Sequence, residues 1–260
     1  MRIASLSPAA TEILFAFGLG KDIVCTDQFS NFPDEAKAIP HLKDHQKINE
    51  DALREFQPEI VLTGTVIQEK LAEILRAEGF GVVHQDPRML GQIYESIRQL
   101  GTIFSVERAA EALILQMQQG LNAVKKKAAL LPRRLKVYVE EWHLPPMASG
   151  NWVPEIVWMA GGKPFPPSTR LRRTHEGYLS WEVTLEEVKK FNPDLMVISW
   201  CGAGALADKN IVLQRPDWQE LSFVQKKQVR VIDDSLLNRP GPRVVEGAQR
   251  LYGWMFELLH

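Results

Sequence analysis

The residues with chemistry to offer cluster where short hydrophobic runs end. Phe29 and Phe32 lie in TDQFSNFP, His45 in HLKDHQ, and Trp142, His143 and Met147 in EEWHLPPMASGNW. Tyr178 and Trp181 lie in GYLSWE, and Arg239 and Arg243 in NRPGPR. Large apolar groups with a few polar handles suit a bulky, partly apolar ligand held by stacking and a handful of hydrogen bonds. A neutral imidazole is a suitable donor, which makes His45 a candidate polar contact. Arg239 is a candidate charge or hydrogen-bond partner for carboxylate, amide or phosphate groups. The rest, Phe29, Trp142, Met147 and Trp181, are candidates for contact area.

Other chemistries find less support. The chain has no G-x-G-x-x-G, no G-x-x-x-x-G-K-[ST], no G-x-S-x-G and no H-E-x-x-H. Of the six histidines only His41 and His45 are four apart, and Pro40 argues against a helix there. A zinc or manganese centre would have to be assembled from His45, His143 and distant carboxylates. The expectation is a binding protein, not an enzyme, with no intrinsic cofactor or metal.

Strands and helices must position these groups. Apolar runs at residues 3–6, 23–26, 59–63, 81–84, 135–140, 195–199 and 229–233 read as buried strands. Helical patterns at 8–17, 50–56, 66–78, 90–104, 153–160, 185–191 and 242–258 lie between them. That alternation predicts an α/β fold with parallel sheets, and loops at the carboxyl ends of such strands are where ligands sit. Residues 105–131 differ: Val106, Ala109, Leu113, Met117, Leu121, Val124, Ala128 and Leu131 recur every three or four positions. The spacing predicts one amphipathic helix of about 25 residues, roughly 37 Å long. The chain also repeats itself. Residues 51–62 align without gaps with 186–197, an offset of 135, with Phe56/Phe191 and Pro58/Pro193 identical. The reading is therefore two Rossmann-like lobes, residues 1–104 and 132–260, joined by the long helix over 105–131. The repeat places Asp51 and Glu186 at matching positions in the first turns of matching helices. Such a pair can complement the helix dipole or offer a partner two carboxylates to grip.

Composition narrows the partners. With 31 basic and 32 acidic residues the net charge is −1, which leaves no bulk positive charge for nucleic acid. No apolar stretch is long enough to span a bilayer. Two cysteines, Cys25 and Cys201, exclude a disulfide scaffold and a four-cysteine zinc site. Met1-Arg2 runs straight into the first strand without a leader pattern. The chain is cytoplasmic if Met1 is the natural start, and periplasmic or otherwise extracytoplasmic if a leader was removed.

The opening RIASLSPAATEILFAFGLGKDIVCTDQFSNFP resembles the class III substrate-binding proteins of ABC importers, the cobalamin and iron–siderophore branch. INEDALREFQPEIVL, WHLPPMASGNWVPEIVWMAGG, VTLEEVKKFNPDLMVIS and NRPGPRVVEGAQRLYGWM resemble that branch in the same order, covering essentially the whole chain. The resemblance implies two lobes bridged by one helix, a monomer, and a corrinoid, haem-like or siderophore ligand in the interlobe cleft. It puts Phe29, His45, Met147 and Arg239 in that cleft, and Asp51 and Glu186 against permease arginines. Phe29, His45 and Met147 stand where cobalamin binders carry tyrosine, tryptophan and phenylalanine, and Gly64 and Ser180 where they carry tryptophan. Ser235, beside Asp234, stands at the family aspartate. A cytosolic carrier or sensor on the same scaffold, and a metal-assisted enzyme using His45, His143 and a carboxylate, are the rival readings.

Overall fold

The structure is a computed structural model that describes residues 1–166 and 180–260; Tyr178 and His175 lie outside the described residues. Two compact units divide the chain, Met1–Pro87 with Gly91–Leu115, and Arg88–Leu90 with Gln116–His260.

The first unit holds a five-stranded sheet: β1 (Ile3–Ser5), β2 (Ile23–Asp27), β3 (His41–Leu42), β4 (Ile60–Gly64) and β5 (Val82–Gln85). Its order is β3-β2-β1-β4-β5 and every pairing is parallel. The strands are apolar on both faces because helices cover both. Ala4, Leu6, Cys25, Leu53, Val61, Leu71 and Leu75 form one buried cluster. Each large side chain fully buried there stabilises the fold by about 1.5–3 kcal/mol.

The second unit is built on β6 (Leu135–His143), β7 (Pro146–Ala148), β8 (Gly162–Pro164), β9 (Trp181–Glu182), β10 (Leu195–Ile198) and β11 (Val229–Val231). Its path is β11-β10-β6-β7-β9, with β8 pairing the other way on β6. The parallel ladder β8-β6-β10-β11 repeats the ladder β2-β1-β4-β5 of the first unit strand for strand. The strand pattern predicts parallel strands, which β8, β6, β10 and β11 are; beyond them the sheet adds an antiparallel edge. β6 runs on past Glu140 into a hairpin, so β7 and β9 add antiparallel pairings. Two- and three-residue strands carry too little periodicity to be seen in sequence.

The repeated segments form equivalent structures. Asn49 caps the helix Glu50–Glu55, its side chain accepting from the Ala52 N–H at 2.9 Å. Thr184 and Glu187 form a complete capping box on the helix Leu185–Phe191. Each helix leads through its proline into the strand beside the unit's first strand, β4 beside β1 and β10 beside β6. The long helix runs Glu107–Ala128, 22 residues, burying Ala110, Leu113, Ile114, Met117, Leu121, Val124 and Ala128. The unit boundary falls inside it, at Leu115/Gln116, so residues 107–115 belong to the first unit and 116–128 to the second.

Candidate functional site

At the carboxyl edge of the first unit's strands a buried polar network ends on one imidazole. Asp27 closes β2 with its side chain fully buried, and its Oδ2 lies 2.5 Å from Nδ1 of His45, just beyond β3. Ser30 Oγ donates to Asp27 Oδ1 at 2.6 Å, and the hydroxyl chain continues through Thr11 (3.0 Å) to Ser5 (2.8 Å). Asp27, Ser30, Thr11 and Ser5 are all buried, so the carboxylate is held by hydrogen bonds in place of water.

A second arm grips His45 from the end of β4. Thr65, at φ +64, turns the chain into the short 3-10 turn Val66–Gln68. A positive φ in a β-branched residue costs about 1–3 kcal/mol. It brings the fully buried Gln68 back under the sheet edge. There Gln68 Oε1 accepts from Gly64 N–H at 2.8 Å, while Nε2 donates to Leu6 O at 2.7 Å and to His45 O at 2.8 Å. Gly64 has to be small: a Cβ on it would lie 2.7 Å from Ser7 Oγ. Ser7 begins the helix Pro8–Ala16 without capping it through its side chain.

Phe29 stands edge-on to His45, ring centroids 5.3 Å apart at 80°, and is half-buried. Phe32, Val66 and Ile67 are 43%, 46% and 49% exposed, so three large apolar side chains face solvent from the loops after β2 and β4. Asp27, Gln68, Val66 and Ile67 escape the sequence reading. An acid at a strand end and an alternating turn have no period to mark them; only an exposed Val-Ile pair directly after a buried strand could have drawn notice.

The second unit treats its carboxylates differently. Glu140 is completely buried in β6, where it accepts two hydrogen bonds from Arg215 (2.7 and 2.8 Å), one from Tyr138 (2.8 Å) and one from Trp200 (3.0 Å). Burial, reinforced by that carboxylate, pushes the Tyr138 phenol well above its ordinary value. Burial opposes the Arg215 charge, yet the hydrogen bonds to Glu140 raise its pKa. Beside this pair, burial raises the Glu141 carboxyl, against a 2.5 Å hydrogen bond from Ser180 that lowers it. Burial, then the Glu141 and Asp234 carboxylates, push the Cys201 thiol up to about 12. Burial does the same to Cys25, also to about 12, so neither thiol is a nucleophile near neutrality.

Trp142 is 41% exposed at the end of β6, its indole N–H donating to Leu144 O at 3.0 Å. Across the hairpin it pairs with half-buried Met147. His143 is held between Trp142 and Trp200, ring centroids 5.4 and 4.8 Å away. Arg239 is half-buried in a tight turn closed by Gly241 N–H on its carbonyl at 2.9 Å. Trp181, expected as contact surface, is only 5% exposed and packs in the core with Phe165, where β9 joins the sheet edge. Asp51 and Glu186 are both exposed and both second in their helices; Glu186 pairs loosely with Lys189 at 3.6 Å. Among the described residues no three His, Cys, Asp or Glu side chains gather as a metal would require, and no helix is long and apolar enough to cross a membrane.

Two α/β units, each with its own parallel ladder and with polar and aromatic groups in the loops at that ladder's carboxyl edge, and one helix shared between the units define a two-lobed ligand-binding protein. The chain belongs to the family of periplasmic binding proteins, whose profile matches residues 3–236. It is 27% identical over 255 residues to the vitamin B12-binding protein of Vibrio cholerae, covering 96% of this chain and 87% of that one. It is 26% identical over 259 residues to the ABC transporter substrate-binding lipoprotein YvrC of Bacillus subtilis, covering 96% and 78%. Among solved structures, the periplasmic haem-binding protein RhuT of Roseiflexus superimposes with a TM-score of 0.84 at 20% identity, covering 100% of this chain and 99% of that one.

Proposed function

We propose that this protein is the substrate-binding component of an ABC importer, that its cargo is a metal chelate of corrinoid, haem or siderophore type, and that it works outside the cytoplasmic membrane as a monomer. The observation that carries this reading is His45, fixed by Asp27 and Gln68 among Phe29, Phe32, Val66 and Ile67 at the carboxyl edge of a parallel sheet. An imidazole in apolar surroundings suits a flat or bulky chelate better than a sugar or an amino acid, which would require many more polar partners. Trp142, Met147 and Arg239 are the second unit's own candidate ligand contacts. The names of the relatives, a vitamin B12 binder and a haem binder, support the same ligand class. Asp51 and Glu186 would meet basic sockets on the permease. Calorimetric titration with cyanocobalamin, aquocobalamin, haem and a ferric hydroxamate tests the reading. Saturable one-to-one binding of at least one is expected, and heat from none of them would overturn it.

A further inference from the structure

The hydrogen bonds around His45 determine which ring nitrogen is available. Both N–H groups of the Gln68 amide are spent on carbonyls, those of Leu6 and His45 itself, and its oxygen on the Gly64 N–H. The amide can therefore not be reversed, because its nitrogen faces two groups that only accept. It lies 3.2 Å from Nδ1 with no proton left to give. Nδ1 keeps its own proton and donates it to Asp27 Oδ2 at 2.5 Å. In the neutral ring the lone pair is then on Nε2, which makes no hydrogen bond to any described residue, on a side chain 19% exposed.

A carboxylate that holds one nitrogen of a histidine and leaves the other bare is the arrangement that orients imidazole metal ligands and raises their basicity. The described residues bring no second and third donor to it, so a metal bound there must carry its remaining ligands with it. Resting on the carrier reading above, we infer that Asp27 is a positioning residue that presents His45 Nε2 as an axial ligand, and that the site selects chelates with an exchangeable axial position. Nε2 donates its lone pair to the metal as a bound water leaves. No electron is transferred, and Asp27 balances the positive charge that develops on the ring.

The test compares ferric haem and aquocobalamin, which have such a position, with cyanocobalamin and a ferric hydroxamate, which have none. Wild-type protein is expected to bind one of the open chelates at least tenfold more tightly than either closed one, with a visible spectrum shifted to the nitrogen-ligated form. His45→Ala should abolish the shift and the preference. Asp27→Asn should weaken binding of the open chelate about 10–100-fold and dilute the shift, with closed chelates unaffected. Equal affinity of wild-type protein for open and closed chelates, with an unshifted spectrum, overturns the inference and leaves the carrier reading standing; this arm needs no variant to fold. An Asp27→Asn protein that melts earlier but keeps spectrum and affinity overturns the role given to Asp27. Binding of no chelate overturns the carrier reading and this inference with it.

Discussion

Asp27 and Glu140 are buried carboxylates on the parallel ladders of the two units, and they are answered in opposite ways. Glu140 in the second unit receives four hydrogen bonds from Arg215, Tyr138 and Trp200, and nothing is left over. Asp27 in the first receives a serine hydroxyl and a histidine whose far nitrogen stays unengaged among the described residues. Both satisfy the rule that a buried charge must be paired. Only the second arrangement passes the effect of the charge on to an accessible atom. A closed network holds the fold, and an open-ended one points a functional group.

The comparison breaks hardest at Arg215. Arg215→Met leaves the buried Glu140 with its main partner gone, at an expected cost of about 3–5 kcal/mol. The urea midpoint should fall accordingly at unchanged slope. Adding Glu140→Gln should recover much of the loss, since the price of the pair lies in an unmatched charge. His45→Ala should cost only about 1 kcal/mol, because water can reach Asp27 through the space a partly exposed ring leaves. Comparable losses for Arg215→Met and His45→Ala would erase the distinction between closed and open networks.

Glu141 sharpens it. Burial raises this carboxyl, the Ser180 hydrogen bond only partly opposing. A raised folded-state pKa means that the stabilising contribution is complete below pH 4.5, the ordinary value, and is lost as pH rises through the folded one. Above the folded value the ionised group therefore works against folding. Glu141→Gln should raise Tm at pH 7 by roughly 2–4 °C, the shift that about 1 kcal/mol makes in a chain of this size. The gain should vanish at pH 4. A gain that persists there would mean that packing, and not ionisation, is responsible.

The ladder strands, the long helix and the matched helix starts were legible because each carries a strong periodic or capping pattern. His45 and Phe29 were legible as residue types in strand-exit loops. The partners that give His45 its meaning were not. Asp27 reads as the polar end of a strand and Gln68 as a helical surface position, and only the positive φ at Thr65 turns that glutamine inward. Trp181 was legible as a large aromatic in GYLSWE, while the two-residue strand that places it in the core has no period to show it.

The smallest effect on the fold is expected where the two units are most alike. Asp51 and Glu186 occupy the same second position of capped helices and are both exposed, so each interacts with its helix dipole for about 0.3–1 kcal/mol. The caps themselves, Asn49 and the Thr184–Glu187 box, do not depend on them. Asp51→Arg with Glu186→Arg should thus lower stability by less than about 2 kcal/mol. Chelate affinity should be unchanged, because neither residue touches the network around His45. Uptake through a cognate permease reconstituted in vesicles should instead be abolished, as the proposed grip of these two carboxylates on basic permease sockets requires. One reversal alone should give an intermediate rate, as the matching positions imply two equivalent grips. Loss of chelate binding in the double variant would show that these helix starts serve the site and not the partner.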